Sequence, residues 1–340
     1  MRLTLALVGV IAAAGPCANG PQLPGALGDA ARSLNETRED AREVANASEK
    51  LKAVTGTAGD AVNRCDRLRT QDIALDEERT IGEAAAIQLA AANGGILIGR
   101  NVDDPANAPT IALNQLGTKL AALSERPHLA WTFSILDSDT VNAWSTPGGL
   151  VFVTRGLLKK VENEAQLAGV LAHEIAHVTG RHALNKYREV KVEQCRNYVA
   201  AGIAGKAASA VTSKLAASFG SDLGHLDFRG AEDVLANMGA SVAAALQHEK
   251  FDPKQETQAD YDAMSLLVLA GYQPAEYAKF LGMLPDTFQH DTHPPKQERI
   301  ANVKSILNQF AKDPLRSPGA PYGPEQGYTA DPISPALAAL

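Results

Sequence analysis

NEAQLAGVLAHEIAHVTGRH, Asn163–His182, sets ionisable side chains inside an apolar run. From Leu167 to Val178 every position is apolar or small except His173, Glu174 and His177. Apolar residues therefore surround the predicted helix on all sides, and the helix is expected to be buried. Asn163 suits its N-cap, with Gln166 in the capping-box position. Ionisable groups in such a setting cost on the order of several kcal/mol unless something compensates them. The spacing supplies a compensation. His173 and His177 are four residues apart, so both imidazoles lie on one face and can share one ion. Glu174, beside the first histidine, can reach a water on that ion.

The pattern is H-E-x-x-H, the helix of zinc peptidases. By chance it would occur in a chain of this length on the order of once in a hundred sequences. A catalytic zinc site takes three protein ligands and keeps one position open. No histidine follows at the spacing H-E-x-x-H-x-x-G-x-x-H, so the third ligand must come from elsewhere. Glu256 is the candidate. It opens a predicted helix that runs to Ala270, closed by Gly271 and followed by Pro274. Glu256, Asp260, Ala263, Leu267 and Ala270 fall on one stripe of that helix. Glu256 can coordinate zinc, and Asp260 can accept a hydrogen bond from a ligand histidine. The competing reading is a solvated first-turn acid favoured by the helix dipole.

Outward from this helix the chain reads as α+β and mostly helical, with a small sheet. Glu77–Asn93 and Ile111–Ser124 have helical spacing. Trp131–Leu136 alternates as a strand, Asn142–Thr146 is extended, and Pro147-Gly148-Gly149 turns into a second strand, Leu150–Thr154. Further helices are expected near 187–218, 230–248, 256–270 and 275–284. His182, near the end of the first helix, reads as a structural cation at the dipole.

Composition bounds the rest. Of 340 residues, 45% are hydrophobic and 21% charged, enough apolar material for a core and no case for disorder. The net charge of -7, the lack of a basic block and 5% aromatics argue against a nucleic-acid partner. Leu3–Ala14 is an uncharged apolar run after Arg2, too short to span a bilayer, and residues 1–18 read as a signal peptide; lipid attachment at Cys17 is the rival reading. No later segment suits a transmembrane helix. Residues 19–70 read as a polar helical spacer and 71–312 as one domain. Residues 313–340, with six prolines, read as a disordered tail outside the core. Cys65 and Cys195 are either a disulfide, which an exported compartment permits, or two spare thiols.

Four segments carry a resemblance: NAWSTPGGLVFVTRGLL (Asn142–Leu158), the helix itself, ETQAD (Glu256–Asp260) and THPPKQERI (Thr292–Ile300). In this order they resemble the HtpX/CAAX-prenyl-protease family of zinc metalloendopeptidases, in its soluble periplasmic branch, over about Asp76–Phe310. The resemblance implies a zincin-like (gluzincin) domain with one Zn2+. It makes His173, His177 and Glu256 the ligands and Glu174 the general base that takes a proton from water and returns it to the leaving amine. It also places His293 near the metal, either as an oxyanion donor or as a fourth ligand that keeps the site latent. Arg299 would pair with Asp260 or the oxyanion, a plain surface arginine being the alternative. Protein or peptide substrates would lie extended along Leu150, Val151, Phe152 and Val153 as an edge strand, with Gly148 and Gly149 permitting close approach. The implied setting is the bacterial periplasm, soluble or lipid-anchored, with a role in quality control of envelope proteins. Two other readings stand beside it: a latent or chaperone-like zinc-binding module, and a zinc hydrolase of non-peptide bonds.

Overall fold

The computed structural model describes residues 58–203, 232–249, 251–284, 293–312 and 328–340, together with the isolated Arg42. The expected signal peptide, the lipid-attachment alternative at Cys17, most of the expected spacer, the expected continuation of a helix past residue 203 and most of the proline-rich segment fall outside the described residues. In chain order the elements are α1 (Ala58–Arg67), α2 (Leu75–Ala92), α3 (Ala108–Ala121), β1 (Thr132–Leu136), β2 (Ala143–Thr146), β3 (Leu150–Thr154), α4 (Arg155–Leu158) and α5 (Glu164–Thr179). They continue with α6 (His182–Ile203), α7 (Glu232–His248), α8 (Pro253–Ala270), α9 (Ala275–Met283), α10 (Lys296–Lys312) and α11 (Pro335–Ala338). The fold is α+β and mostly helical, as its periodicities imply.

The termini of the two long site helices follow local chemistry. Asn163 caps α5 by accepting from Gln166 N, while the Gln166 side chain accepts from Glu162 N, one residue ahead of the usual partner. α8 starts three residues before Glu256, at Pro253, because Asp252 and Gln255 form a capping box there. It stops at Gly271, whose φ of +80° is the left-handed conformation that ends helices.

The sheet has the order β1–β3–β2. β1 and β3 are parallel, from Thr132↔Leu150 to Leu136↔Thr154, and β2 is antiparallel to β3, from Ala143↔Val153 to Thr146↔Leu150. The edge-strand expectation for Leu150–Thr154 is therefore overturned: β3 is the central strand. The turn at Gly148 and Gly149, with φ of +85° and +96°, folds β3 back on β2, and β1 fills its other side. Val151, Phe152 and Val153 are buried without alternation, which marks an interior strand. Residues 95–97 cover the far side of β1 through Leu97 N to Ile135 O and Asp137 N to Gly95 O. Among the described residues, β2 is the strand left at an edge.

α5 lies at the centre of the larger core. Leu167, Ala168, Leu171 and Ala172 are fully buried in one cluster with residues of α3, the sheet, α8, α9 and α10. Each buried leucine contributes roughly 1.5–3 kcal/mol over an exposed one, which is why an all-apolar helix settles here. Gly169 lets α9 approach closely, since a Cβ at that position would stand 2.6 Å from the Tyr277 ring. A second cluster joins α1, α2, α6 and α7.

Both expected chain boundaries shift. Cys65 and Leu68, placed in the spacer by composition, are buried in the second cluster, and Cys65 is disulfide-bonded to Cys195 of α6. The end of the proline-rich tail is not outside the core. Thr329 pairs with Tyr272, Pro332 pairs with Asn163, Glu164 N donates to Asp331 O, and Leu337 is buried in the larger cluster. Prolines forbid a long helix or strand here, yet single backbone bonds and one leucine suffice to dock the segment.

Candidate metal centre

α5 presents His173 and His177 from successive turns of one face, with their Nε2 atoms 3.0 Å apart. α8 brings Glu256 opposite them: its Oε1 is 3.3 Å from His177 Nε2 and its Oε2 3.8 Å from His173 Nε2. His293, just ahead of α10, sets Nδ1 2.7 Å from Glu256 Oε2. All four residues are buried, and one ligand atom from each lies within 4.8 Å of the others. Burial removes the solvated-acid reading of Glu256, which is 1% exposed.

The residues fit a tetrahedral ion. Donors about 2.0–2.1 Å from such an ion stand roughly 3.3 Å apart, close to the histidine and carboxylate separations here. Glu256 Oε1 is buried and makes no hydrogen bond, an arrangement that is costly unless a cation satisfies it. Burial alone would raise the Glu256 carboxyl, but the electrostatic influence of the neighbouring His293 and His177 imidazoles and the His293 hydrogen bond hold it well below the usual carboxylate range. Burial pushes His177 well down, toward the neutral imidazole that binds metals.

Around these donors lies a ring of supports. Asp260, one helical turn after Glu256, sets Oδ1 3.2 Å from His173 Nδ1. The same oxygen accepts from Arg299 Nη2 at 2.9 Å, and Oδ2 accepts from Asn302 Nδ2 at 3.2 Å. Burial would raise this carboxyl too, but the Arg299 charge and the His173 hydrogen bond keep it ionised well below its ordinary range. Arg299 is buried and also donates to the Tyr277 hydroxyl at 2.6 Å, so it is not a surface arginine. Burial keeps Tyr277 protonated, its pKa pushed far above the ordinary value. On the other histidine, His182 Nδ1 lies 2.8 Å from His177 Nδ1. Burial lowers His182 to about 4, so it serves as a neutral hydrogen-bond partner and not as a cation at a helix end.

Glu174 is 4% exposed and lines a pocket with His173, Ala143, Val170, Tyr277 and Phe280. The structure thus brings together His173, Glu174, His177, Glu256, Asp260, His293 and Arg299. Gly148 and Gly149 sit apart from them in the β2–β3 turn, where Gly148 N donates to Glu78. Sequence reasoning missed Tyr277, Asn302 and the role of His182. Asn302 had a signal, three residues after Arg299 and so on the same helical face. His182 had only the helix stop at Gly180, because it is the left-handed Arg181, φ +56°, that folds it back on His177. Tyr277 had none.

A buried His–His–Glu cluster on two packed helices, with a carboxylate beside the first histidine, defines the metal-dependent peptidase class. The model of peptidase family M48 matches residues 107–307, and the chain belongs to that family. It is 27% identical over 252 residues to the mitochondrial metalloendopeptidase OMA1 of Schizosaccharomyces pombe, an alignment covering 71% of this chain and 64% of that one. It is 26% identical over 254 residues to the beta-barrel assembly-enhancing protease of Yersinia pestis, covering 72% of this chain and 47% of the relative. The Escherichia coli protein of the same name is 26% identical over 207 residues, 58% of this chain and 39% of the relative. The chain therefore spans between about two fifths and just under two thirds of these relatives.

Proposed function

We propose that the chain is a zinc-dependent metalloendopeptidase that hydrolyses peptide bonds in exported or misfolded envelope proteins. The observation that carries this reading is the buried four-donor cluster, with its orphaned Glu256 oxygen, directly beside Glu174. His173, His177 and Glu256 would hold one Zn2+. A bound zinc ion supplies Lewis acidity, polarising a carbonyl and making water a usable nucleophile near neutral pH. Glu174 removes a proton from the attacking water and returns it to the leaving amine. Asp260 keeps the His173 ring oriented, and His182 does the same for His177. His293 and the Arg299–Tyr277 pair are the donors available to a developing oxyanion. A substrate carbonyl would enter the pocket that Glu174 shares with Ala143 of β2, and an extended substrate would not pair with β3, which is the central strand.

Assignment to the envelope is supported by the sequence of residues 1–18, which reads as a signal peptide with Cys17 open to lipid attachment. No described helix is long and apolar enough to cross a membrane. The names of the relatives, two of which are beta-barrel assembly-enhancing proteases, favour a role in protein quality control. A second reading has its own support. His293 stands within the donor cluster, so it can complete four-fold coordination and make the protein a latent or chaperone-like module. The deciding experiment compares casein cleavage by wild type, Glu174→Gln and His293→Ala, with zinc measured per chain. Cleavage lost in Glu174→Gln at unchanged zinc content is the expected result. Zinc-loaded wild type that cleaves nothing, with His293→Ala active, would establish latency. A protein without zinc would sink both readings.

A further inference from the structure

The pocket beside Glu174 has a direction and a size. Val170 stands one turn before Glu174 on the same face of α5, and His177 stands one turn after His173. The pocket takes in Val170, His173 and Glu174, so it extends from the metal ligands toward the N-terminal half of the helix. On that side its wall is apolar: Val170, Leu157 of α4, Phe280 and Leu281 of α9, and Leu284 at the C-cap of α9. All five are buried members of the larger core cluster, so packed side chains back the wall. The free space is about 20 Å³, room for about one water-sized group. The approach of α9 keeps it small. Gly169 lets the Tyr277 ring close on α5, and the next turn of α9 carries Phe280 and Leu281 into the wall.

The role of Glu174 says which part of a substrate lies here. Glu174 returns its proton to the leaving amine, so that nitrogen must come within hydrogen-bond reach of its carboxylate. The side chain carried by the same residue as that nitrogen is then the substrate group nearest to the rest of the pocket. An apolar wall gives a polar or charged side chain no partner. A close-packed wall admits a large one only by displacing its neighbours.

We infer that this pocket selects the residue on the amine side of the scissile bond, admitting a side chain about the size of a methyl group and turning away larger ones. This rests on the peptidase reading and adds to it a substrate class: peptides with alanine directly after the cleaved bond. Leu281 and Val170 are specificity-determining residues that act through the size of the pocket, and neither takes part in the proton transfers.

The test uses the full zinc-loaded chain. A quenched fluorescent peptide spanning a mapped casein cleavage site is made with alanine, leucine or phenylalanine after the bond. Wild type is expected to cleave the alanine peptide with kcat/KM about ten-fold or more above the other two, the discrimination a tight apolar pocket supplies. Leu281→Ala enlarges the pocket and is expected to raise the leucine-to-alanine ratio of kcat/KM about ten-fold. Both peptides meet the same enzyme preparation, so a loss of folded or zinc-loaded protein cancels from the ratio, and a merely structural role of Leu281 would not move it. Val170→Ala is a smaller deletion, expected to shift the ratio several-fold in the same direction, and it keeps the inference testable should Leu281→Ala not fold. Leucine or phenylalanine peptides cleaved by wild type as well as the alanine peptide, or an unchanged ratio in whichever variants fold, would overturn the inference and leave the peptidase reading intact. A wild type that cleaves neither casein nor any of the peptides would overturn the peptidase reading and this inference with it.

Discussion

Replacing Asp260 by asparagine separates what this carboxylate does for the metal from what it does for the fold. Asp260 is 1% exposed and serves three neighbours: Arg299 at 2.9 Å, His173 at 3.2 Å and Asn302 at 3.2 Å. An amide of the same shape has one acceptor oxygen where the carboxylate has two, and turns N–H groups toward donors. His173 then loses the acceptor that orients its ring, a loss that costs roughly 10–100-fold in metal affinity. That factor corresponds to about 1.4–2.7 kcal/mol. Arg299, 4% exposed, is meanwhile left charged without its counter-ion. Breaking one side of a buried pair costs about 3–5 kcal/mol. The two costs appear in different experiments. Competition with a chelator reads the first as weaker zinc binding by the folded protein, and urea unfolding of the zinc-free protein reads the second as a lower midpoint. An Asp260→Asn protein that binds zinc within about two-fold of wild type would refute the orienting role, whatever its stability.

Three further changes test the architecture. Replacing Cys65 and Cys195 by serine opens a cross-link of sequence separation 130, and is expected to cost about 5 kcal/mol in denaturant unfolding; an unchanged midpoint would deny the bridge a stabilising part. Leu337→Ala, which empties a site only 3% exposed, is expected to destabilise by roughly 2–5 kcal/mol, whereas a tail outside the core would show no effect. Gly169→Ala would ordinarily favour a helix by about 1 kcal/mol. Here its Cβ meets the Tyr277 ring at 2.6 Å, so a net loss of roughly 1–3 kcal/mol and weaker peptide cleavage are expected, and a stabilised, fully active variant would contradict the packing.

The sequence by itself determined the groups that one helix carries. His173, Glu174 and His177 share a turn of α5, and Glu256 and Asp260 share a turn of α8, because helical spacing alone fixes which residues face the same way. The apolar surround of the first trio told that its ionisable groups would be buried, and Gly271 told where α8 ends. Tertiary structure decided everything that joins distant segments. Whether Leu150–Thr154 is an edge or a centre depends on which strands come to lie beside it, and a run of apolar residues fits either until β1 arrives on its open side. The placing of Tyr277 and His182 against the ligand histidines likewise depends on how α9 packs on Gly169 and how the chain reverses at Arg181. The docking of Leu337 and the Cys65–Cys195 bridge are contacts across more than a hundred residues for Cys65 and between the tail and the core for Leu337, which no local pattern encodes. Local geometry is written in periodicity; pairing between remote elements is chosen by the packing of the whole chain, and that is where the strand, the supports and the tail were settled.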